Sequence, residues 1–308
     1  MSGSEVRTAD SGYVALPFTA RWTKELDRAM RQGAGWYVLS AGSQHGKTTA
    51  NRRFWLDHPS ERTNTSTSVP VAVAWTSSKQ KLVLRSLAES LGGKRFAQMS
   101  GREMRVADAI HRFGTKLVIV NNSHMLEWKQ FEELLSLDDV CSGNYGRRPA
   151  IVLSGVYDSE LRIGNLPKRW ELTEQILKRI ARLKTIPGHD REEVRSAISL
   201  LLRRDCPTLL AEGAAKHHGL VFELLTGPEV NLSGGGLVAG GDLVELVRCI
   251  VAFRGRAPGP DTDIADLIRK AFAYFVRERG GSNGTKTSPV IERLSRSLRA
   301  RDTDAGAA

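Results

Sequence analysis

At 308 residues the chain is long enough to bury a sizeable core, and one α/β domain with a smaller appendage is expected. Its 26% charged and 41% hydrophobic residues are ordinary for a globular protein. The charge balance is not: 45 Lys and Arg against 34 Asp and Glu give a formal +11, which suits polyanionic partners, nucleic acid ahead of a membrane surface, though charge alone fits a merely solubilising basic coat about equally well.

Cys141, Cys206 and Cys249 are odd in number, far apart and free of CxxC spacing, which argues against a disulfide framework or a zinc site and for a reducing compartment. The opening MSGSEVRTADSGYVALPF lacks an apolar core of signal-peptide length, and no run approaches a membrane span. A soluble, cytoplasmic protein without membrane partners is the expectation. The seven histidines show no metal-binding spacing, so no zinc-type centre is expected.

Along the chain, residues 1–17 read as a flexible N-terminus, followed by a basic amphipathic helix over Thr19–Gln32 with Trp22, Leu26 and Met30 on one face. An apolar strand, Trp36–Ser40, then runs into Ala41, Gly42, Ser43, Gln44, His45, Gly46, Lys47, Thr48 and Thr49. This is the pattern [Ala/Gly]-x-x-x-x-Gly-Lys-[Ser/Thr] of a phosphate loop, in the strand-loop-helix context that such a loop requires. Several backbone N–H groups pointing at one place hold a triphosphate best, and Gly42 and Gly46 permit that approach. Lys47 is expected to reach the β- and γ-phosphates of ATP, and the Thr48 hydroxyl to sit on Mg²⁺.

Further strands are expected at Val69–Trp75, Lys116–Asn121, Ala150–Ser154 and Leu183–Ile186, with helices at Lys47–Leu56, Lys79–Leu91, Arg102–Phe113, Glu127–Leu137 and Leu172–Lys178. Continuous apolar strands alternating with helices predict a five-stranded parallel sheet covered on both faces. After Pro187-Gly188 the texture changes to helices alone: Arg191–Arg203, Pro207–His217, Leu237–Phe253 and Ile264–Glu278. The expected domains are therefore 18–187 for the nucleotide, 188–279 as a helical lid, and 280–308 as a mobile basic tail.

The basic helix before the sheet, AGSQHGKTTANRRF, KLVIVNNSHML, IVLSGV and EQILKRIARLKTIP stand in an order that resembles the AAA+ ATPases. More narrowly, residues 18–278 are similar to the TniB/TnsC-type transposition ATPases, a group to which the phage Mu target-DNA activator is also similar. The resemblance implies a P-loop NTPase sheet with a small helical lid and an ATP-dependent homo-oligomer, a filament or ring, on duplex DNA. It also implies that the protein recruits or activates a transposase. In that family KLVIVNNSHML is the second nucleotide motif, which normally ends in Asp-Glu: the aspartate holds the metal's water shell and the glutamate polarises the attacking water. Here those positions are Asn121 and Asn122, and an amide can neither carry the charge nor accept the proton. Ser40, Thr76 and Ser154 end or follow the other strands without an acid, and Asp138 and Asp139 are expected beyond a helix. ATP binding with weak or absent hydrolysis is the resulting expectation.

By the same resemblance Ser154 senses the γ-phosphate, and Arg179, with Arg182 second, is the arginine that reaches the next subunit's nucleotide. DNA contact falls to Lys79 and Lys81 after the second strand and to Arg102 and Arg105 on the following helix, all as phosphate contacts without base reading. Two alternatives stay open: an active DNA-associated AAA+ ATPase or loader, and a nucleotide-dependent signalling or defence switch that does not bind DNA.

Overall fold

The computed structural model describes residues 16–42, 45–62, 67–76, 83–92, 101–157, 170–205, 244, 246–250, 252 and 268–274. In chain order these give α1 (Pro17–Gln32), β1 (Gly35–Ser40), α2 (Lys47–Asp57), β2 (Glu61–Arg62), β3 (Thr67–Ser68), β4 (Val71–Trp75), α3 (Val83–Ser90), α4 (Arg102–Arg112), β5 (Leu117–Asn121), a 3₁₀ turn (Ser123–Met125), α5 (Trp128–Tyr145), β6 (Ala150–Gly155), α6 (Trp170–Arg179), β7 (Ile180–Thr185) and α7 (Arg191–Asp205). Pro17 opens α1, where a missing N–H costs nothing and the fixed φ suits the first turn.

Five strands pair in the order β4-β5-β6-β1-β7, and every pairing is parallel. The chain leaves β1, resumes at the far edge with β4, and steps back through β5 and β6 until β6 lies against β1. β7 then adds on the other side of β1, so the sheet reverses direction there, the place where open α/β sheets present a crevice at their carboxyl ends. The register aligns Trp75 with Asn121, Asn121 with Ser154, and Leu39 with Ser154, which brings the ends of four strands level.

All five residues of β5 and all six of β6 are buried, as continuous apolar strands in a parallel sheet should be. Trp36 and Val38, Ala72 and Ala74, Val118 and Val120, and Ile151 and Leu153 join Leu84, Leu87, Val106, Ile110, Phe131 and Leu134 of α3, α4 and α5 in one core. Side chains alternate along a strand, so Asn121 and Ser154 belong to the opposite face from Val120 and Leu153. There they meet α2.

Three expectations need correction. The last strand is Ile180–Thr185 rather than Leu183–Ile186, because IARLKT is a largely exposed edge strand with polar residues in place of a continuous apolar run, and it follows α6 without an intervening turn residue. The helix expected to stop at Leu137 runs to Tyr145 and ends at Gly146, whose φ of 60° is left-handed. Asp138 and Asp139 therefore lie within that helix. The short β2–β3 hairpin was not anticipated.

The chain divides into two compact units, one containing Thr19–Ala41 and Lys47–Ile186, the other containing Gly42–Gly46 and Pro187–Ala308. In the second, α7 covers the expected Arg191–Arg203 and extends it by two residues. The described residues at 246–250 and 268–274 are helical, inside the helices expected at Leu237–Phe253 and Ile264–Glu278. Pro207–His217 and the tail from Gly280 lie outside the described residues. Among the described residues no helix is long and apolar enough to cross a membrane.

Candidate functional site

β1 delivers the chain to Ala41, whose N–H donates to the Gly155 carbonyl at the end of β6 (3.2 Å). Two glycines shape the loop that follows. Gly46 has φ 91°, a conformation that L side chains rarely adopt. A Cβ on Gly42 would stand 2.6 Å from the His45 ring, so only glycine leaves the imidazole its place. Ser43 and Gln44 lie outside the described residues. α2 begins at Lys47, so its first amides, those of Lys47, Thr48 and Thr49, have no partner within the helix and present the positive end of its dipole. Lys47 is buried and its Nζ donates to the Ala41 carbonyl (3.0 Å), while burial lowers its basicity to a pKa of about 8. Thr48 and Thr49 are exposed.

Across from the start of α2, the ends of β5 and β6 carry a neutral polar network. Asn51 donates one amide N–H to Asn121 Oδ1 (2.9 Å) and another to Ser154 Oγ (2.8 Å). Its own Oδ1 accepts the indole N–H of Trp22 in α1 (2.7 Å). Thr48 Oγ1 donates to Asn121 Oδ1 over 3.3 Å, a long contact for a hydroxyl. Trp22, Asn51, Asn121 and Ser154 are all buried. The Thr76 hydroxyl donates to the Asn121 carbonyl and so ties the ends of β4 and β5 together. Beyond Asn121, Asn122 takes φ 54°, a left-handed conformation that asparagine tolerates, and turns the chain into the 3₁₀ segment. Ser123 donates to the Ser154 carbonyl (3.1 Å) and shares a short hydrogen bond with the Tyr157 hydroxyl. Ser40 Oγ in turn donates to the Tyr157 carbonyl (2.7 Å) and accepts its N–H (2.9 Å), which fastens the chain after β6 to the end of β1.

The fold thus brings Lys47, Thr48, Asn121 and Ser154 together around Asn51. Asn51, Trp22 and His124 were not singled out from sequence. Asn51 does leave a trace there: Lys47, Ala50, Asn51 and Phe54 form the buried stripe of α2, and an asparagine on such a stripe demands partners. Nothing in the sequence pattern marks His124.

The predicted arginine stands elsewhere. Arg179, at the end of α6, donates through Nε to Asp138 Oδ2 (3.3 Å) and through an Nη to Asp139 Oδ1 (2.6 Å). Asp138 is buried and also accepts from Trp36 Nε1 (3.2 Å), with Arg148 3.9 Å away. Burial pushes the Asp138 carboxyl up, while Arg148, Trp36 and Arg179 hold it down. Arg182 pairs with Glu25 of α1 (3.3 Å). Arg102 and Arg105 share the first turn of α4, both partly buried, and Arg102 is close enough to Glu133 of α5 to lower its carboxyl against burial and the charge of Glu103. Lys79 and Lys81 lie outside the described residues.

These groups fit a polyphosphate: a buried ammonium, the amides at a helix start and a serine hydroxyl on the strand alongside. A hard divalent cation would find oxygen donors in the Thr48 hydroxyl and the Asn121 amide oxygen, but no carboxylate among them. Among the described residues no group of three or more His, Cys, Asp and Glu is placed to hold a metal ion.

Residues 30–163 match a family model described as an AAA domain. Cdc6p from Pyrobaculum aerophilum is similar in structure, at a TM-score of 0.54 and 11% identity, over 97% of this chain and 90% of that one. The Walker-type ATPase PABY2304 of Pyrococcus abyssi is similar at a TM-score of 0.52 and 14% identity, over 92% of this chain and 76% of that one. None of the curated proteins compared matches the chain.

Proposed function

We propose, for a chain with the α/β parallel-sheet P-loop NTPase fold of AAA+ type and with further C-terminal helices consistent with a lid, that it binds ATP and acts on duplex DNA as an oligomer held together by the nucleotide. One observation carries the nucleotide half of this reading. Lys47 and Thr48 of α2 meet Asn121 of β5 and Ser154 of β6, distant in sequence, at the carboxyl end of the sheet beside the first turn of α2. Lys47 and the α2 amides would hold the phosphates, and Thr48, with the Asn121 amide oxygen behind it, would hold Mg²⁺. The metal, when bound, supplies positive charge against the β- and γ-phosphates.

Hydrolysis is the weak step. Asn121 contributes no charge to the metal's water shell, Asn122 accepts no proton, and the Ser154 hydroxyl orients without adding charge. A nucleotide cleaved slowly acts chiefly as a ligand of the assembled state, and it stabilises that state by its differential affinity. In the assembly, Arg179 or Arg182 would face the neighbouring subunit's nucleotide. The +11 charge supports DNA as the polyanion, contacted through phosphates by Lys79, Lys81, Arg102 and Arg105. Recruitment of a transposase rests on the resemblance to the TniB/TnsC-type proteins.

A second reading is an active AAA+ ATPase that loads or remodels a DNA complex, with the missing acid contributed by another subunit. The fold shared with the Walker-type ATPase of Pyrococcus abyssi, over nearly all of this chain, supports that broader reading. Both readings predict that the protein shifts a random duplex in a gel only with ATP present. Changing Arg102 and Arg105 together to alanine should then flatten the slope of log affinity against log salt by about 2. Binding of nucleotide with no ATP-dependent DNA binding at any salt would point instead to a switch that acts on proteins.

A further inference from the structure

His124 lies in the 3₁₀ turn, two residues beyond Asn122. Its Nδ1 is buried without a hydrogen-bond partner. The ring is wedged against Gly155, where a Cβ would come within 3.0 Å of Nδ1, and meets the Tyr157 ring edge-on at 6.5 Å and 84°. Gly155 directly follows Ser154 and accepts the N–H of Ala41, so the wedge stands at the strand end that borders the phosphate loop. The ring is near enough to Lys47 of α2 to feel its charge, and Tyr157, which burial keeps protonated, is the titratable group packed on it from the chain after β6. A polar ring fixed in place, with no partner of its own and beside the lysine of a phosphate loop, needs a role.

Resting on the nucleotide reading above, we propose that His124 is a contact for the terminal phosphate of bound nucleoside triphosphate and takes up a proton as the triphosphate arrives. Burial and then the Lys47 charge lower the basicity of this imidazole in the free protein and so favour its neutral form. A polyanion beside Lys47 removes the second cause and reverses its sign. The basicity of His124 therefore rises on binding. By linkage, the His124 contribution to affinity is full below its free-state pKa and is lost as pH rises through its bound-state pKa. Because the contact is to the terminal phosphate, ADP does not elicit it.

The test measures affinity rather than turnover. The dissociation constants of AMP-PNP and ADP are determined by calorimetry at pH 6, 7 and 8 for the wild-type chain and for His124→Gln, which keeps polarity and cannot take a proton. The difference between the two proteins cancels the titration of the nucleotide itself. The proposal expects wild type to bind AMP-PNP more tightly than His124→Gln at pH 6, with an advantage that approaches about tenfold only below the free-state pKa for a bound-state rise of one pKa unit, and that shrinks to little at pH 8. ADP should distinguish the two proteins by less than about twofold, the scale of one weak contact. Gly155→Ala, which must displace the His124 ring or the Tyr157 ring, provides a second arm with the imidazole intact, and should weaken the pH dependence in the same direction. Parallel pH profiles for wild type and His124→Gln, or equal losses for AMP-PNP and ADP, would overturn the His124 role while Lys47-dependent binding stands. Absence of Lys47-dependent binding in wild type at every pH overturns both.

Discussion

Two polar knots in this protein are built from opposite materials. At the carboxyl end of the sheet, Trp22, Asn51, Asn121 and Ser154 form a network of amides, an indole and a hydroxyl with no formal charge, and Lys47 nearby is the charged residue. Between α5 and α6, Asp138, Asp139, Arg148 and Arg179 gather two acids and two cations, with Trp36 donating a further hydrogen bond. The second knot answers its own charges. The first is neutral in its amides and stands beside the positive end of α2 and the Lys47 ammonium, which suit an anion. The chain thus places acid where it joins helices and withholds it where a nucleotide motif ordinarily has it.

The largest effect that separates the knots is expected at Lys47. Lys47→Ala should weaken ATP binding by at least about 100-fold, since it removes a charge-assisted contact and the one buried cation among the described residues of the site, and fluorescence titration with a labelled ATP measures it. The same residue gives affinity a pH signature. Its free-state pKa is about 8, and phosphates raise it. Its contribution to affinity should therefore be constant below pH 8 and decline as pH rises above that value. A titration flat through pH 9 would show that the ammonium does not meet the ligand.

The next effect lies in the charged knot. Arg179→Ala leaves Asp138 buried with only Trp36 and a distant Arg148, and should cost about 2 kcal/mol of stability by denaturant unfolding. ATP affinity of the isolated subunit should hardly change. Unaltered stability together with lost nucleotide-dependent assembly would instead assign Arg179 to the neighbouring subunit's site and blur the contrast. The smallest effect is Trp22→Phe, which deprives the Asn51 amide oxygen of its donor and should cost about 1 kcal/mol. A loss near zero would mean that the neutral knot tolerates an open acceptor.

Much of the fold was legible because parallel strands buried on both faces are continuous apolar runs: LVIV and AIVL carry no competing signal. The start of the edge strand β7 lies three residues before the expected one because IARLKT is mostly exposed, lacks a continuous apolar run and follows α6 directly. α5 was cut short at Asp138-Asp139, since acids in mid-helix look like an end until Arg179 and Trp36 are known to bind them. At the site, Lys47, Thr48 and the Asn121-Asn122 pair were visible because phosphate chemistry fixes residue type and spacing locally. Asn51 and His124 were not, because their partners lie between 29 and 103 positions away and only the fold supplies them.

Restoring the missing acids tests the central claim most directly. The groups that contact Asn121 Oδ1 are the donors Asn51 Nδ2 and Thr48 Oγ1, which suit a carboxylate as well as an amide, so Asn121→Asp combined with Asn122→Glu should fold. Steady-state phosphate release from ATP is measured for this double variant and for wild type at saturating Mg²⁺. The account predicts slow release by wild type and a rise on the order of 10²-fold in the double variant. Wild-type turnover near one per second, lost in Lys47→Ala and not increased by the two acids, would contradict it.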